Sequence, residues 1–213
     1  MLTIRRLGNS SWFNVAGVFA VTHTSVDEPD WDKKTVALMT QGKYYVAGGL
    51  KGIEDHACVR LTYRGERLNK LGYGKFYVLK GFLVGAKRHE MPFFMVDVND
   101  KKEVPSLFAF QETKIESLGF VDGFVNSQKE PNPEGMVSVM VKHNGINEND
   151  PDNESMVVKY VVPQHLISGQ AVDVFAVGRQ ILFRGTLAGW NRELDMVRVK
   201  VSGGALDVEA LSD

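Results

Sequence analysis

The 213-residue chain contains one cysteine, seven prolines and no long apolar run. A single cysteine, Cys58, excludes a disulfide within the chain, and unpaired cysteine is typical of reducing compartments. No stretch approaches the roughly 18 consecutive apolar residues that a membrane-spanning helix needs. The opening residues, MLTIRR, are followed by polar residues instead of the apolar core of a signal peptide. The sequence therefore predicts a soluble, cytoplasmic protein that makes no membrane contact.

Residue clusters that carry catalysis or bind metal ions are also missing from the sequence. The five histidines are scattered, and none of them has a partner at metal-ligand spacing. The glycine-rich stretch 48–52 lacks the helix and the hydroxyl residue that follow in a phosphate-binding loop. The acidic stretch 27–32 (DEPDWD) lacks the ligand spacing of an EF-hand. We therefore predict no enzymatic activity, no metal site and no cofactor, which leaves a binding function.

Charged and aromatic residues are unevenly distributed, although the net charge is only −1. Residues 1–104 contain 16 Lys/Arg and 11 Asp/Glu, whereas residues 105–213 contain 9 and 15. Of the 21 aromatic residues, 13 fall in the first of these segments. A basic, aromatic half and an acidic half favour different partners, so we expect nucleic acid to contact the first half.

Two segments of the chain are nearly copies of each other. GKFYVLKGFLVG (Gly74–Gly85) and GRQILFRGTLAG (Gly178–Gly189) share glycines, basic residues and a leucine at a constant offset of 104. A repeat of about 100 residues is typical of domain duplication, because solenoid repeats run roughly 20 to 50 residues. We therefore predict two domains, 1–103 and 104–213. Weaker matches in the same order align Phe13–Val21 with Gly119–Ser127 (Gly17 opposite Gly123), Thr35–Gly42 with Met136–Gly145, Ala57–Gly65 with Glu154–Val162, and Phe93–Val98 with Met196–Val201.

Each copy has the composition of five short β-strands separated by turn residues. In Ala57–Gly65 the alternation places Val59, Leu61 and Tyr63 on one face and the polar residues on the other. One short helix is expected in each copy, at Glu66–Leu71 and at Pro163–Ser168, between the third and fourth strands. This is the plan of the OB-fold. We predict an all-β protein of two tandem five-stranded OB-like Greek-key barrels, each with a short helix between strands 3 and 4.

The repeated segment has a further implication through its resemblance to a known family. This pattern resembles the fourth strand of OB-fold single-stranded-DNA-binding proteins. It consists of Gly, then Lys or Arg, four further residues, Lys or Arg, Gly, any residue and Leu. The chain looks most like the divergent members from phages and mobile elements, which implies the host cytoplasm if the protein is viral. The resemblance implies sequence-tolerant binding of single-stranded DNA, or RNA, in replication or recombination. In the fourth strands, Gly81 and Gly185 are expected to allow curvature around the barrel.

Binding a single strand requires cations for phosphates and flat side chains for unpaired bases. In the first domain we expect Trp31, Tyr44 and Tyr45 to be exposed, and Tyr63, Phe76 and Phe82 to lie in the core. The expected contacts in that domain are Trp12, Trp31, Lys43, Tyr44, Tyr45, Lys51, Arg60, Arg64, Lys75, Lys80, Lys87 and Arg88. Those in the second domain are Arg184, Trp190 and Arg192.

The second domain carries a different set of expectations. Its loop Asn144–Glu154 has acidic residues and no basic one, at the place where the first domain has Lys43. We therefore expect the second domain to extend the site or, with the acidic C-terminus, to bind replication or recombination proteins. An alternative is a structural or assembly protein, of phage virion or adaptor type, whose barrels are protein-interaction modules. An enzyme on a β-barrel is disfavoured by the missing catalytic cluster, and homo-oligomer formation is left open.

Overall fold

The computed structural model describes residues 11–28, 36–45, 56–65, 70–85, 92–126, 135–143, 156–167, 174–191 and 196–202. Two 3-10 turns, Ser106–Phe110 and Gln164–Leu166, accompany the strands, so the predicted all-β class is confirmed. No helix in these ranges is both long and apolar enough to cross a membrane. The strands are β1 (Trp12–Val21), β2 (Val26–Glu28), β3 (Val36–Tyr45), β4 (His56–Gly65), β5 (Phe76–Gly85), β6 (Phe93–Val104), β7 (Lys114–Asn126), β8 (Met136–His143), β9 (Met156–Pro163), β10 (Gln180–Asn191) and β11 (Met196–Val201).

The first five long strands form a closed barrel, named here the first ring. β1 pairs with β3, β3 with β4, β6 with β5, and β5 pairs back with β1, all antiparallel. β4 and β6 close the ring as a parallel pair, and β2 adds a short edge beside β3. Each of these five strands is therefore paired with two neighbours in the part of the chain that the structure describes.

The same order of pairing recurs in the second half, in strands named here the second ring. β7 pairs with β8, β8 with β9, β9 in parallel with β11, β11 with β10, and β10 with β7. The rings are joined by antiparallel pairing of β1 and β7, from Trp12 opposite Leu118 to Ala16 opposite Lys114. Within this junction, Val15 lies opposite Ile115.

The duplicated segment occupies matching places in the two rings. Gly74 and Gly178 have φ angles of 75° and 85°, a left-handed conformation that favours glycine. Their N–H groups donate to the carbonyls of Val21 and Val121 at 2.9 and 2.8 Å. A methyl group on Gly81 would collide with the carbonyl oxygen of Met95, and one on Gly185 with that of Lys200. Glycine is therefore required there by the close approach of the neighbouring strand.

The strand registers correct the alignment of the two halves outside this segment. Val15 lies opposite Gly81 and Ile115 lies opposite Gly185, so Val15 and Ile115 are equivalent. Gly17 therefore matches Ser117, and its expected match with Gly123 is wrong by six residues. By the same reasoning, the expected matches of the second, third and fifth strands are each wrong by two residues.

Alternating side chains of both rings fill one continuous apolar core. Val59, Leu61 and Tyr63 are buried, as predicted from their period-2 spacing. The Tyr63 hydroxyl donates to Ser25 Oγ (2.7 Å) and accepts from the Leu71 N–H (2.9 Å). The prediction that Phe76 and Phe82 lie in the core is wrong. β5 directs Tyr77, Leu79 and Leu83 inward instead, so both phenylalanines are half-buried on the outer side.

The core of the second ring contains a polar group that joins three strands. The Tyr160 hydroxyl lies 2.6 Å from Ser117 Oγ and 3.0 Å from His143 Nε2. His143 Nδ1 lies 3.1 Å from the carbonyl oxygen of Leu118. Because a carbonyl can only accept, Nδ1 carries the proton and Nε2 accepts from Tyr160. The neutral imidazole of His143 is therefore fully hydrogen-bonded inside the ring.

Neither expected helix is seen as an α-helix in the described ranges. Of the first, residues 66–69 lie outside the described residues, while Lys70 and Leu71 are not helical. The second expected helix, Pro163–Ser168, contains a three-residue 3-10 turn in which the Ile167 N–H donates to the Gln164 carbonyl at 3.1 Å. Proline at position 163 has no N–H to donate, and the segment closes a single turn.

Candidate nucleic-acid interface

The outer surface of β3, β4 and β6 forms the first face. On β3 the inward positions are buried, which leaves Lys43 exposed and Gln41 and Tyr45 half-buried on the outside. The register places Lys43 opposite Cys58 and Gln41 opposite Arg60. The members of the first face are Met39, Gln41, Lys43, Tyr45, Cys58, Arg60, Thr62, Phe93 and Met95.

The first face combines cations with partly accessible rings. Arg60 lies beside Phe93 in the parallel pairing of β4 and β6. Neither β3 nor β4 contains an acidic residue. Phosphates can therefore approach Lys43 and Arg60 without repulsion from these strands, while Tyr45 and Phe93 can contact bases. Phe93 was not among the residues predicted from the sequence. The alternation of β6, which buries Phe94, could have shown that Phe93 lies on the outer side.

The expected exposure of Tyr44 is wrong. Its side chain is 1% exposed and packs against Phe19 and Phe94, with ring centroids 6.2 and 6.5 Å away. Burial raises the pKa of its hydroxyl above the ordinary value. β3 extends to Tyr45, so the alternation of a strand governs both tyrosines and only Tyr45 is on the outer side. Tyr44 is therefore a core residue, and its ring is not accessible for stacking on a base.

Several predicted cations lie away from the first face. Lys75 is exposed at the turn before β5 and forms an ion pair of 2.8 Å with Glu103. Hydrogen bonding to that carboxylate raises the pKa of Lys75. Lys80 is on the outer side of β5, and Trp12 begins β1 opposite Leu118, at the junction of the rings. These three side chains are not brought together with Lys43 and Arg60.

The side chains of the remaining predicted contacts are not described by the structure. Arg64 lies opposite Ala37 and Trp190 opposite Val197, but only their backbone positions are described. The other predicted contacts lie outside the described residues: Trp31, Lys51, Lys87, Arg88 and Arg192.

Arg184 lines a groove of about 980 Å³ at the junction of the rings. Its Nε donates to Glu116 Oε1 at 2.7 Å. Lys80 and Lys114 line the same groove, together with carboxylates that include Asp97. The groove therefore carries both signs of charge and offers a polyanion less attraction than the first face.

The outer surface of β8, β9 and β11 forms the second face, at the corresponding place in the second ring. The alternate residues that are not buried include Lys142, Lys159, Arg198 and Lys200. In the register, Met140 lies opposite Lys159, and Lys159 lies beside Arg198. Sequence reasoning missed all four cations, because it judged this half by its acidic total.

In the described part of the chain, no group of three or more His, Cys, Asp or Glu side chains could hold a metal ion.

The closed five-stranded ring with one parallel pair, bearing a basic and aromatic outer face, defines an OB-type barrel with further strands. Solved structures share this fold. A deletion variant of the single-stranded DNA binding protein from Thermus aquaticus matches with a TM-score of 0.57 at 14% identity, covering 95% of this chain and 96% of that one. The wild-type protein matches with a TM-score of 0.54 at 13% identity, covering 95% of each chain. No protein-family model and no curated protein matches the chain.

Proposed function

We propose that this protein binds single-stranded DNA without strict sequence preference, and that it does so as a binding protein and not as an enzyme. The observation that carries the proposal is the first face, where Lys43, Tyr45 and Arg60 lie on two strands free of acidic residues and Phe93 of β6 lies beside Arg60. The shared fold with a protein named for binding single-stranded DNA supports it.

In this proposal the two rings are tandem OB units that arose by duplication. Their identical pairing order and the matched glycines at 81 and 185 support this origin. The protein protects or organises single strands in replication or recombination, and its acidic second half and C-terminus contact other proteins of those processes. A divergent phage or mobile-element protein fits this description.

The first face would hold a strand through two kinds of contact. Lys43 and Arg60 replace counterions on the phosphates, so affinity falls as salt rises. Tyr45 and Phe93 stack unpaired bases, at about 1–3 kcal/mol per base. A duplex keeps its bases stacked internally and gains only the phosphate contacts, which predicts a preference for single strands.

Fluorescence anisotropy of a labelled oligo-dT, titrated at several salt concentrations, tests the proposal. The parent chain should bind the single strand more tightly than a duplex of equal length. The double variant Lys43→Gln/Arg60→Gln should bind more weakly and reduce the salt slope by about 1.4, at roughly 0.7 per lost phosphate contact. Phe93→Leu should weaken binding by about tenfold, within the range of one lost stacking contact.

A matched control changes two exposed cations elsewhere. Lys102→Gln/Lys114→Gln removes the same charge from the far end of β6, nine residues beyond Phe93, and from the start of β7, and neither residue is a member of the first face. Its affinity should remain within about twofold of the parent, because only distant charges are altered. The proposal is wrong if oligo-dT fails to bind, or if both double variants lose affinity equally. Self-association that is independent of oligonucleotide, seen by light scattering of a non-binding chain, would favour an assembly protein.

A further inference from the structure

The second face concentrates positive charge across three neighbouring strands. Lys159 and Arg198 are adjacent in the parallel pairing of β9 and β11, and Lys200 follows two residues along the same side of β11. Lys142 lies on β8, two residues beyond the partner of Lys159. Neighbouring strands are about 4.8 Å apart and alternate residues about 7 Å apart, so the four cations form one compact stripe.

Nothing on these strands neutralises the stripe. β8, β9 and β11 contain no acidic residue. Like charges side by side on adjacent strands destabilise a sheet, so an uncompensated Lys159–Arg198 pair is costly unless an anion lies between them. In addition, Arg198 Nε is buried and has no hydrogen-bond partner in the described part of the protein. A guanidinium N–H of this kind is a donor that a phosphate oxygen would satisfy once the Arg198 side chain turns outward.

The second face differs from the first face in one chemical respect. Lys142 and Lys159 hold the positions that Lys43 and Arg60 hold in the first ring. Where the first face has Phe93 and Met95, the second face has Arg198 and Lys200. The other outward residues of β8, β9 and β11 are aliphatic, thioether or small, and none is aromatic. The stacking platform is therefore replaced by two more cations.

We propose that the second face binds the sugar–phosphate backbone of a single nucleic-acid strand without contacting its bases. The choice of nucleic acid as the ligand rests on the proposed function. The location of the binding surface on the second ring rests on charge complementarity. The two faces then have different roles. The first face contacts unpaired bases, and the second face binds phosphates whatever the base sequence is. Removal of bases should weaken the first contact and leave the second unchanged.

The test compares oligo-dT with an abasic strand of the same length and charge, both labelled for anisotropy. Lys159→Gln/Arg198→Gln should lower the affinity for both probes by a similar factor and reduce both salt slopes by about 1.4. Phe93→Leu, on the first face, should weaken oligo-dT binding about tenfold and leave abasic binding unchanged. Lys102→Gln/Lys114→Gln again serves as the charge-matched control.

Each outcome separates the two proposals. If oligo-dT binding depends on Lys43 and Arg60 but is unaffected by Lys159→Gln/Arg198→Gln, the second-face inference is wrong and the proposed function stands. If oligo-dT shows no base-dependent gain over the abasic strand, yet both bind through Lys159 and Arg198, the base stacking proposed for the first face is wrong and the phosphate surface stands. Loss of oligo-dT binding alone would show that the second face contacts bases, which contradicts the inference.

A second variant protects the test against misfolding. Lys142→Gln/Lys200→Gln changes the two exposed cations of the stripe, whose side chains contribute little to packing. Both second-face variants should keep the parent's circular dichroism and unfolding midpoint, since removal of like charges relieves repulsion. Equal abasic binding by this folded variant and the parent would overturn the proposal.

Discussion

At the scale of single residues, Gly81 is the glycine, among those the structure describes, at which an added methyl group would lie nearest to another atom. We predict that Gly81→Ala destabilises the chain by about 1–3 kcal/mol or more, because the methyl collides with backbone that can move only with β6. Gly123→Ala is the control, since nothing lies within 4 Å of its added methyl. It should change stability by less than about 0.5 kcal/mol. Urea unfolding of both variants measures the difference, and equal midpoints would contradict the prediction.

Residue-level prediction from sequence succeeded where alternation was visible and failed at the ends of strands. The inward position of Tyr63 follows from its spacing with Val59 and Leu61, and it is confirmed. The expectation that Tyr44 and Tyr45 are both exposed rests on their charged neighbour Lys43 and on a loop expected beside them. The sequence does not show where pairing with β4 stops, and pairing continues to Tyr45 opposite His56. That one fact decides which tyrosine is buried.

At the scale of elements, the polar group formed by Ser117, His143 and Tyr160 links β7, β8 and β9. Burial lowers the pKa of His143 to about 4, well below its ordinary 6.5. Between these values the unfolded chain takes up a proton and the folded chain does not. Stability contributed by neutral His143 is therefore full above pH 6.5 and is lost as pH falls toward 4.

We predict that this loss amounts to about 3 kcal/mol between pH 6.5 and 4, at 1.36 per unit of pKa difference. Guanidinium unfolding across that range measures it. His143→Gln removes the titrating group, so its stability should depend less on pH by that amount, whatever its absolute stability. Carboxylates titrate in both proteins and cancel in the comparison. Parallel pH profiles would refute the assignment.

The strand alignments show why elements were predicted better than their registers. The second, third and fifth strands were misaligned by two residues and the first by six, always an even number. Side chains of a strand alternate with a period of two, so an even shift keeps every inward residue inward. The sequence pattern is therefore identical for these registers. The duplicated fourth strand was aligned correctly because its glycines are fixed by close backbone approach.

At the scale of the whole molecule, the junction of β1 and β7 makes the two rings one hydrogen-bonded body. Five consecutive residue pairs join the strands, and one core cluster includes residues of both rings. We predict that the chain unfolds in a single transition. Trp fluorescence and far-ultraviolet circular dichroism should give the same midpoint in urea. Two separated transitions would show that the rings are independent.

Molecular charge was the least informative property for finding the second face. The second half is acidic in total, and that total favours nucleic-acid contact by the first half. Summed charge ignores that strand alternation gathers Lys142, Lys159 and Arg198 on one side of the second ring. Register, which the sequence leaves open, decides which cations become neighbours. The acidic residues of 144–154 lie outside β8, β9 and β11.

The antiparallel pairing of Val15 with Ile115 has a consequence for the path of a bound strand. Because these equivalent residues lie opposite each other, a local two-fold axis passes between them, and directions within the shared sheet are reversed from one ring to the other. A nucleic-acid strand has a 5′-to-3′ polarity. To meet both faces with the same polarity it must turn back on itself between them. The nucleotides of that turn then set the shortest oligonucleotide able to span both rings.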